Sequence, residues 1–329
     1  MNSKSPSPLP ILLTASVLLF AGCASEQTPS TDPVSGGSSS GKLRVSCTSN
    51  IVKDLVTQIG GQHIDVTAIM DGPGVDPHLY TPSPQDINVL TESDVVVYSG
   101  LHLEAQLEPS LDSLANRGVA IIKATEILEK KHSDQLLEAD GAVDPHVWFD
   151  LDLWAECGHW VAAELGKVDE AHAPDYVAQA EKFQTQLKET KAQAKAALDS
   201  VPEDRRILVT AHDAFQYFAR TFQFRVEAVQ GLSTESEPGL KRINELAALL
   251  IEARIGAIFT EQSVSDRNIQ ALISECTAQG HTLVVGGKLY SDTAGPAGTP
   301  EETLAGAVLH DIREIARGLG VATAPQESP

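Results

Sequence analysis

Residues 174–200 limit the possible folds more than any other stretch. They contain no Gly and no Pro after Pro174, and they are rich in Ala, Lys, Gln and Glu, all strong helix formers. Pro174 sits where the first turn of a helix tolerates proline. Val177, Ala180, Phe183, Leu187, Ala192 and Ala196 recur at roughly helical spacing, which predicts one apolar side. At 1.5 Å per residue such a helix spans about 40 Å, the width of a domain. On either side the chain alternates between strand-like and helix-like patterns. Strands are predicted near 43–49, 64–69, 94–98 and 119–122, then near 207–210, 225–229, 256–260 and 282–285. The pattern predicts an α/β protein of two lobes with mainly parallel sheets, joined by one long helix. The expected bounds are 43–172 for the first lobe, 173–201 for the connecting helix and 202–321 for the second lobe. Ligands of such sheets bind beyond the carboxyl ends of the strands, which here means the cleft between the lobes.

Local readings fill in this frame. In 43–49, Leu43, Val45 and Cys47 alternate with Arg44, Ser46 and Thr48, predicting one apolar and one polar face. Asn50 is expected to cap the helix that follows. Residues 103–114 and 213–222 read as helices, 125–143 as a polar loop, and 302–319 as the last helix.

The net charge of −21 excludes a nucleic-acid binder, which needs a basic stripe. The N-terminus reads as an address rather than as fold. Residues 9–20 are mostly apolar but too short to span a bilayer as a helix, and the run ends in Ala21-Gly22-Cys23. Residues 1–22 are therefore expected to be a lipoprotein signal peptide and Cys23 the lipidated first residue, with 23–42 as a flexible tether. This places the protein outside the cytoplasm, anchored to a membrane. Residues 322–329 read as a disordered tail. Cys47, Cys157 and Cys276 form no metal-type spacing and read as small buried hydrophobes.

The tripeptide Asp-Pro-His occurs twice, at Asp76-Pro77-His78 and Asp144-Pro145-His146. Proline fixes its own φ and extends the residue before it, so each unit presents a His from a stiff turn. Two such imidazoles suggest a metal site, against the plainer reading of two loop histidines near prolines. If both belong to the first lobe, the second should supply partners from strand ends. His212 follows a predicted strand directly, whereas His281 precedes one and lies at the wrong edge. Asp292 lies just past the last strand, and Glu261 and Glu237 are also near strand ends or in loops.

In this order, several motifs resemble the zinc/manganese-binding solute-binding lipoproteins of bacterial metal ABC transporters. They are Asp76-Pro77-His78 with Tyr80 and Pro82, Gly100-Leu101-His102-Leu103-Glu104, and Asp144-Pro145-His146-Val147-Trp148. Thr210-Ala211-His212-Asp213 with Tyr217-Phe218, Glu237-Pro238 and Leu289-Tyr290-Ser291-Asp292 complete the set. The resemblance covers residues 43–319. It implies a metal site of His78, His146, His212 and Asp292, with Zn²⁺ or Mn²⁺ as transported ligand. It also implies an ABC permease and its ATPase as partners, a monomeric receptor, and no enzymatic activity. Ligand chemistry favours zinc, since the Irving–Williams order ranks Zn²⁺ above Mn²⁺ at nitrogen donors. Manganese-dedicated members often carry Glu where this chain has His212, and zinc-dedicated members often carry a His-rich loop where this chain has only His132. Glu261 is the substitute ligand to consider. His102, Glu261 and Asp144 are candidates for support from behind the ligands, and Asp76 and Asp213 could also orient rings. Two other functions compete. A zinc hydrolase would keep an open metal position beside a base such as Glu261. A surface adhesin, a role of some members of the family, has no residue here that speaks for it.

Overall fold

The computed structural model describes residues 41–139 and 141–320. The signal peptide 1–22, Cys23, most of the tether 23–42 and the tail 322–329 lie outside the described residues.

The first half begins with β1 (Leu43–Ser49), α1 (Asn50–Gly60), β2 (Ile64–Met70), α2 (Pro84–Thr91), β3 (Val95–Tyr98), α3 (Glu108–Asn116) and β4 (Ala120–Lys123). Its four strands form one parallel sheet in the order β2-β1-β3-β4. On the polar face expected of β1, Arg44 is exposed but Ser46 and Thr48 are buried. Ser46 is satisfied by the hydroxyls of Thr67 and Ser93 at 3.0 and 2.6 Å, and Thr48 donates to Glu104 at 2.6 Å. Asn50 does not cap α1. Ser49 does, accepting from the Val52 amide, which frees the Asn50 side chain. The helix expected over 103–114 forms only from Glu108. Before it, Gly100, Leu101 and His102 all have positive φ, a costly run for two non-glycines. Buried Glu104 holds this loop by accepting from the Ser99 and Gly100 amides.

The expected loop 125–143 contains α4 (Glu126–Lys131) and a small antiparallel hairpin, β5 (Glu138–Ala139) with β6 (Ala142–Val143). A six-residue helix that buries only Ile127 and Leu128 is too short to show a period in sequence. Then come α5 (Leu151–Val168), capped by Asp150, and the long α6 (Ala173–Leu198). The buried stripe of α6 is Tyr176, Ala180, Phe183, Leu187, Thr190, Ala194 and Leu198. Val177, Ala192 and Ala196, expected on that side, are exposed. The true stripe steps strictly by three and four residues and includes a threonine, whose hydroxyl is satisfied by the Gln186 carbonyl at 2.9 Å.

The second half follows as β7 (Ile207–Thr210), α7 (Gln216–Phe222), β8 (Arg225–Ala228), α8 (Leu240–Glu252), β9 (Ala257–Glu261), α9 (Arg267–Ala278), β10 (Val284–Leu289) and α10 (Leu304–Gly318). Strands β7 and β8 pair in parallel, as do β9 and β10, and β7 lies against β9. The last strand begins two residues later than expected and runs through Gly286-Gly287. These glycines lower strand propensity, yet a Cβ on Gly286 would meet the Phe259 ring at 3.0 Å and one on Gly287 would collide with Glu314 of α10. Helix α7 starts at Gln216 rather than 213, because residues 211–215 turn away from β7 to carry His212. The fold is thus α/β with parallel sheets around a long helix. α6 packs on α1 and α5 of the first half and on α10 of the second.

Candidate metal centre

His78 lies in the loop after β2, His146 in the turn before α5, His212 just past β7 and Asp292 just past β10. All four are buried, at 4, 0, 0 and 2% exposure. The two Asp-Pro-His copies are one structural device used twice. In each, the Asp Oδ1 accepts from the backbone amide of the His two residues on, at 2.9 Å, which fixes the turn.

The structure brings the four side chains to one point. The Nε2 atoms of His78 and His212 each lie 3.3 Å from the Nε2 of His146, and Asp292 Oδ1 lies 3.3 Å from both His146 Nε2 and His212 Nε2. Four donor atoms, one from each residue, fall within 4.8 Å of one another. Four of the six donor spacings are 3.3 Å, an edge that in a regular tetrahedron corresponds to a centre-to-corner distance of about 2.0 Å, the Zn–N bond length, while His78 stands farther from Asp292.

Second contacts decide which ring nitrogens face inward. His146 Nδ1 is 2.7 Å from Asp144 Oδ1, and His212 Nδ1 is 2.5 Å from Glu261 Oε2. A carboxylate can only accept, so each Nδ1 carries the proton and donates it, leaving Nε2 to offer a lone pair. Glu261 also accepts the His212 backbone amide through Oε1 at 2.9 Å. Both its oxygens are therefore committed to His212, and Glu261 stands behind that ring as support. Asp144 supports His146 in the same way. His102, the third candidate for support, is a correction. The left-handed loop turns its ring to solvent, 82% exposed, where it pairs with Glu108 at 3.0 Å. Glu237 is exposed and accepts from Asn268, away from the cluster. His281 bonds the Ile255 carbonyl. Asp213 accepts from Gln216, and Asp76 from Thr234 at 2.6 Å.

The electrostatics are uneven across the rings. Burial lowers His78 to about 3, which favours a neutral imidazole. Burial also opposes charge on His146, but Asp144 and Asp292 outweigh it and push that ring up to about 9. On His212 burial is again outweighed, here by Asp292 and Glu261, which hold it well above the ordinary range. Asp292 is held well below the carboxylate range by His212 and His146, against its own burial. In the absence of a cation, protons on the rings balance the buried carboxylates. They do so poorly, because two N–H groups facing each other at 3.3 Å repel. Asp292 Oδ1 is also left without a well-formed hydrogen bond. One divalent cation at the centre would satisfy all four groups.

Residues not singled out from sequence hold Asp292 in place. Ser263 donates to its Oδ2 at 3.2 Å, Trp148 Nε1 donates to the Ser291 carbonyl at 2.9 Å, and the Asn50 amide grips Ala294. Trp148 was visible only as part of a motif. Asn50 sits some 240 residues away in the chain, and only its unusual place inside a first helical turn marks it.

A two-lobed α/β fold with a buried, fully converged three-histidine, one-carboxylate cluster defines a receptor for a metal ion rather than a hydrolase. Glu261, the base such an enzyme would need, is fully engaged with His212. Residues 45–318 match the family described as the periplasmic zinc-uptake complex component A, and the chain belongs to that family. It is 40% identical over 286 residues to the manganese-binding lipoprotein MntA of Bacillus subtilis, covering 86% of this chain and 92% of that protein. It is 38% identical over 280 residues to the zinc-binding protein TroA of Treponema pallidum, covering 85% and 89%. The solved structure of the periplasmic TroA superposes with a TM-score of 0.81 at 36% identity, covering 85% of this chain and 99% of that one. The family is a binding component of metal uptake, not an enzyme.

Proposed function

We propose that the protein captures a divalent transition-metal ion outside the cytoplasm through His78, His146, His212 and Asp292 and delivers it to an ABC permease with its ATPase. The observation that carries this reading is the convergence of three buried Nε2 atoms and Asp292 Oδ1, four of whose mutual spacings are 3.3 Å. Family membership supports the transport role, and the relatives named as ABC-transporter lipoproteins support a lipid anchor, which here would be Cys23. No described helix is long and apolar enough to cross a membrane. The receptor is read as a monomer whose lobes comprise 43–172 and 202–321 on either side of the helix 173–201.

Zn²⁺ is the proposed ion. Three imidazoles and one carboxylate suit its donor preference, and nitrogen donors rank it above Mn²⁺. The names of the relatives divide between manganese and zinc, so the choice rests on the donor set. Competitive loading of metal-stripped protein with equimolar Zn²⁺ and Mn²⁺, read by elemental analysis, tests both levels. One Zn²⁺ per chain is expected. Preferential Mn²⁺ would overturn the choice of metal. Unchanged uptake by the His78→Ala, His146→Ala double variant would overturn the site.

A further inference from the structure

Asp292 lies in a segment whose backbone is gripped on both sides by residues of the other half of the chain. Asn50 lies in the first turn of α1, directly after β1, and is 7% exposed. Its Oδ1 accepts the Ala294 amide at 2.9 Å, and its Nδ2 donates to the Ala294 carbonyl at 3.0 Å and to Thr293 Oγ1 at 2.9 Å. A side-chain amide that reads both the N–H and the C=O of one residue has a single satisfying orientation. Thr293 Oγ1 is in turn 3.2 Å from the Gly72 carbonyl, in the loop that leads to His78. On the other side of Asp292, Trp148 holds the Ser291 carbonyl, two residues after His146.

The segment 291–294 is therefore fastened at both ends to first-half residues, and Asp292 lies between the fastenings. Its Oδ1 has no well-formed hydrogen bond, although the His146 and His212 Nε2 atoms lie 3.3 Å away, and Ser263 reaches only its Oδ2. The position of the backbone therefore does much of the aiming. Asn is a poor choice for a helix interior on intrinsic grounds, and Ser49 already supplies the cap. The residue's value lies in the tertiary grip. We propose that Asn50 is the positioning residue for Asp292, holding its carboxylate in the metal cluster through the backbone of Ala294. The inference rests on the metal-receptor reading above and deepens it. Asp cannot replace Asn50, because it has no donor for the Ala294 carbonyl. Ala would leave both backbone groups buried and unpaired.

The test is a double-mutant cycle in the full chain, with Asn50→Ala, Asp292→Ala and the combination. Zn²⁺ affinity is read by competition with a chromophoric chelator, and Co²⁺ d–d absorption reports the ligand set. Asn50→Ala is expected to weaken Zn²⁺ binding by about 10–100-fold, the range for a ligand's supporting group. In the Asp292→Ala background it should cause no further loss, and the Co²⁺ spectrum of Asn50→Ala should shift towards that of Asp292→Ala. An equal loss in both backgrounds, or an unshifted spectrum, would overturn the positioning role, because a purely structural effect acts regardless of Asp292. If Asn50→Ala does not fold, Asn50→Asp carries the same cycle, since it keeps the volume and the acceptor for the Ala294 amide. Retention of full affinity by Asp292→Ala and His146→Ala would instead sink the metal-site reading itself. The two failures are thus distinguishable.

Discussion

Replacing Glu261 by Gln tests how much of the metal affinity comes from behind the ligands. Glu261 is fully buried and uses both oxygens on His212, at 2.5 Å to Nδ1 and 2.9 Å to the backbone amide. Gln has nearly the same shape but one acceptor and one donor. If its oxygen takes the Nδ1 proton, its NH₂ group must face the His212 N–H. If it flips, the NH₂ faces Nδ1–H. Either way one buried N–H loses its acceptor and meets another donor. A charge-assisted hydrogen bond is worth about 1.5–3 kcal/mol, and loss of a ligand's supporting partner costs about 10–100-fold in metal affinity. The two figures agree, since tenfold is about 1.4 kcal/mol. The upper half of that range is expected, because the ring and its backbone are disturbed together. Chelator competition for Zn²⁺ at fixed pH and salt measures it. A second readout is the number of protons released on binding, from calorimetry in buffers of different ionisation enthalpy. Glu261 helps to hold His212 well above its ordinary pKa, so the variant should release fewer protons than the parent. Unchanged affinity together with an unchanged proton count would refute the claim that Glu261 tunes His212.

Four further outcomes are expected. Zn²⁺ affinity should fall steadily as pH drops from 8 to 5.5. Without metal, His146 titrates near 9, so below that value a proton competes for its Nε2, increasingly as the pH falls; a pH-independent affinity would contradict this. The same raised pKa stabilises the metal-free fold below the ordinary His value and is lost as pH rises through 9, so melting curves of stripped protein should fall in that window. Glu104→Ala should lower the melting temperature while leaving metal stoichiometry intact, at a cost of about 3 kcal/mol or more, because the Ser99 and Gly100 amides lose their buried acceptor. Gly306→Ala should destabilise sharply, since its Cβ would lie 1.7 Å from the Pro300 carbonyl oxygen, and thermal denaturation would show it.

Much of this molecule was legible in the sequence for identifiable reasons. The long helix declared itself through composition and the absence of breakers; it runs Ala173–Leu198 where 173–201 was expected. Its buried face did not, because alanines populate every side of it and only packing selects Ala180 and Ala194 over Ala192 and Ala196. The twin Asp-Pro-His turns exposed His78 and His146 through local stiffness. His212 and Asp292 stood out through their places at strand ends, and the structure gathers all four. What escaped was non-local or strained. The grip of Asn50 on Ala294 joins residues 244 apart in the chain. His102 looked like a supporting group, but the left-handed turn that sends it to solvent leaves no simple mark in sequence. The polar residues of β1 suggested a solvent face, yet Ser46 and Thr48 are buried among hydroxyls and a carboxylate.

The stripe along α6 has a mechanical consequence. Tyr176, Ala180, Phe183, Leu187, Ala194 and Leu198 belong to one uninterrupted apolar core that also contains Val45 and Ile51 from one half and Phe259, Leu289 and Ile315 from the other. A protein opens like a book only where its core has a seam, and none follows this helix. Prising the halves apart would wet packed aliphatic and aromatic surface at about 25 cal/mol per Å², a cost no loop contact could repay.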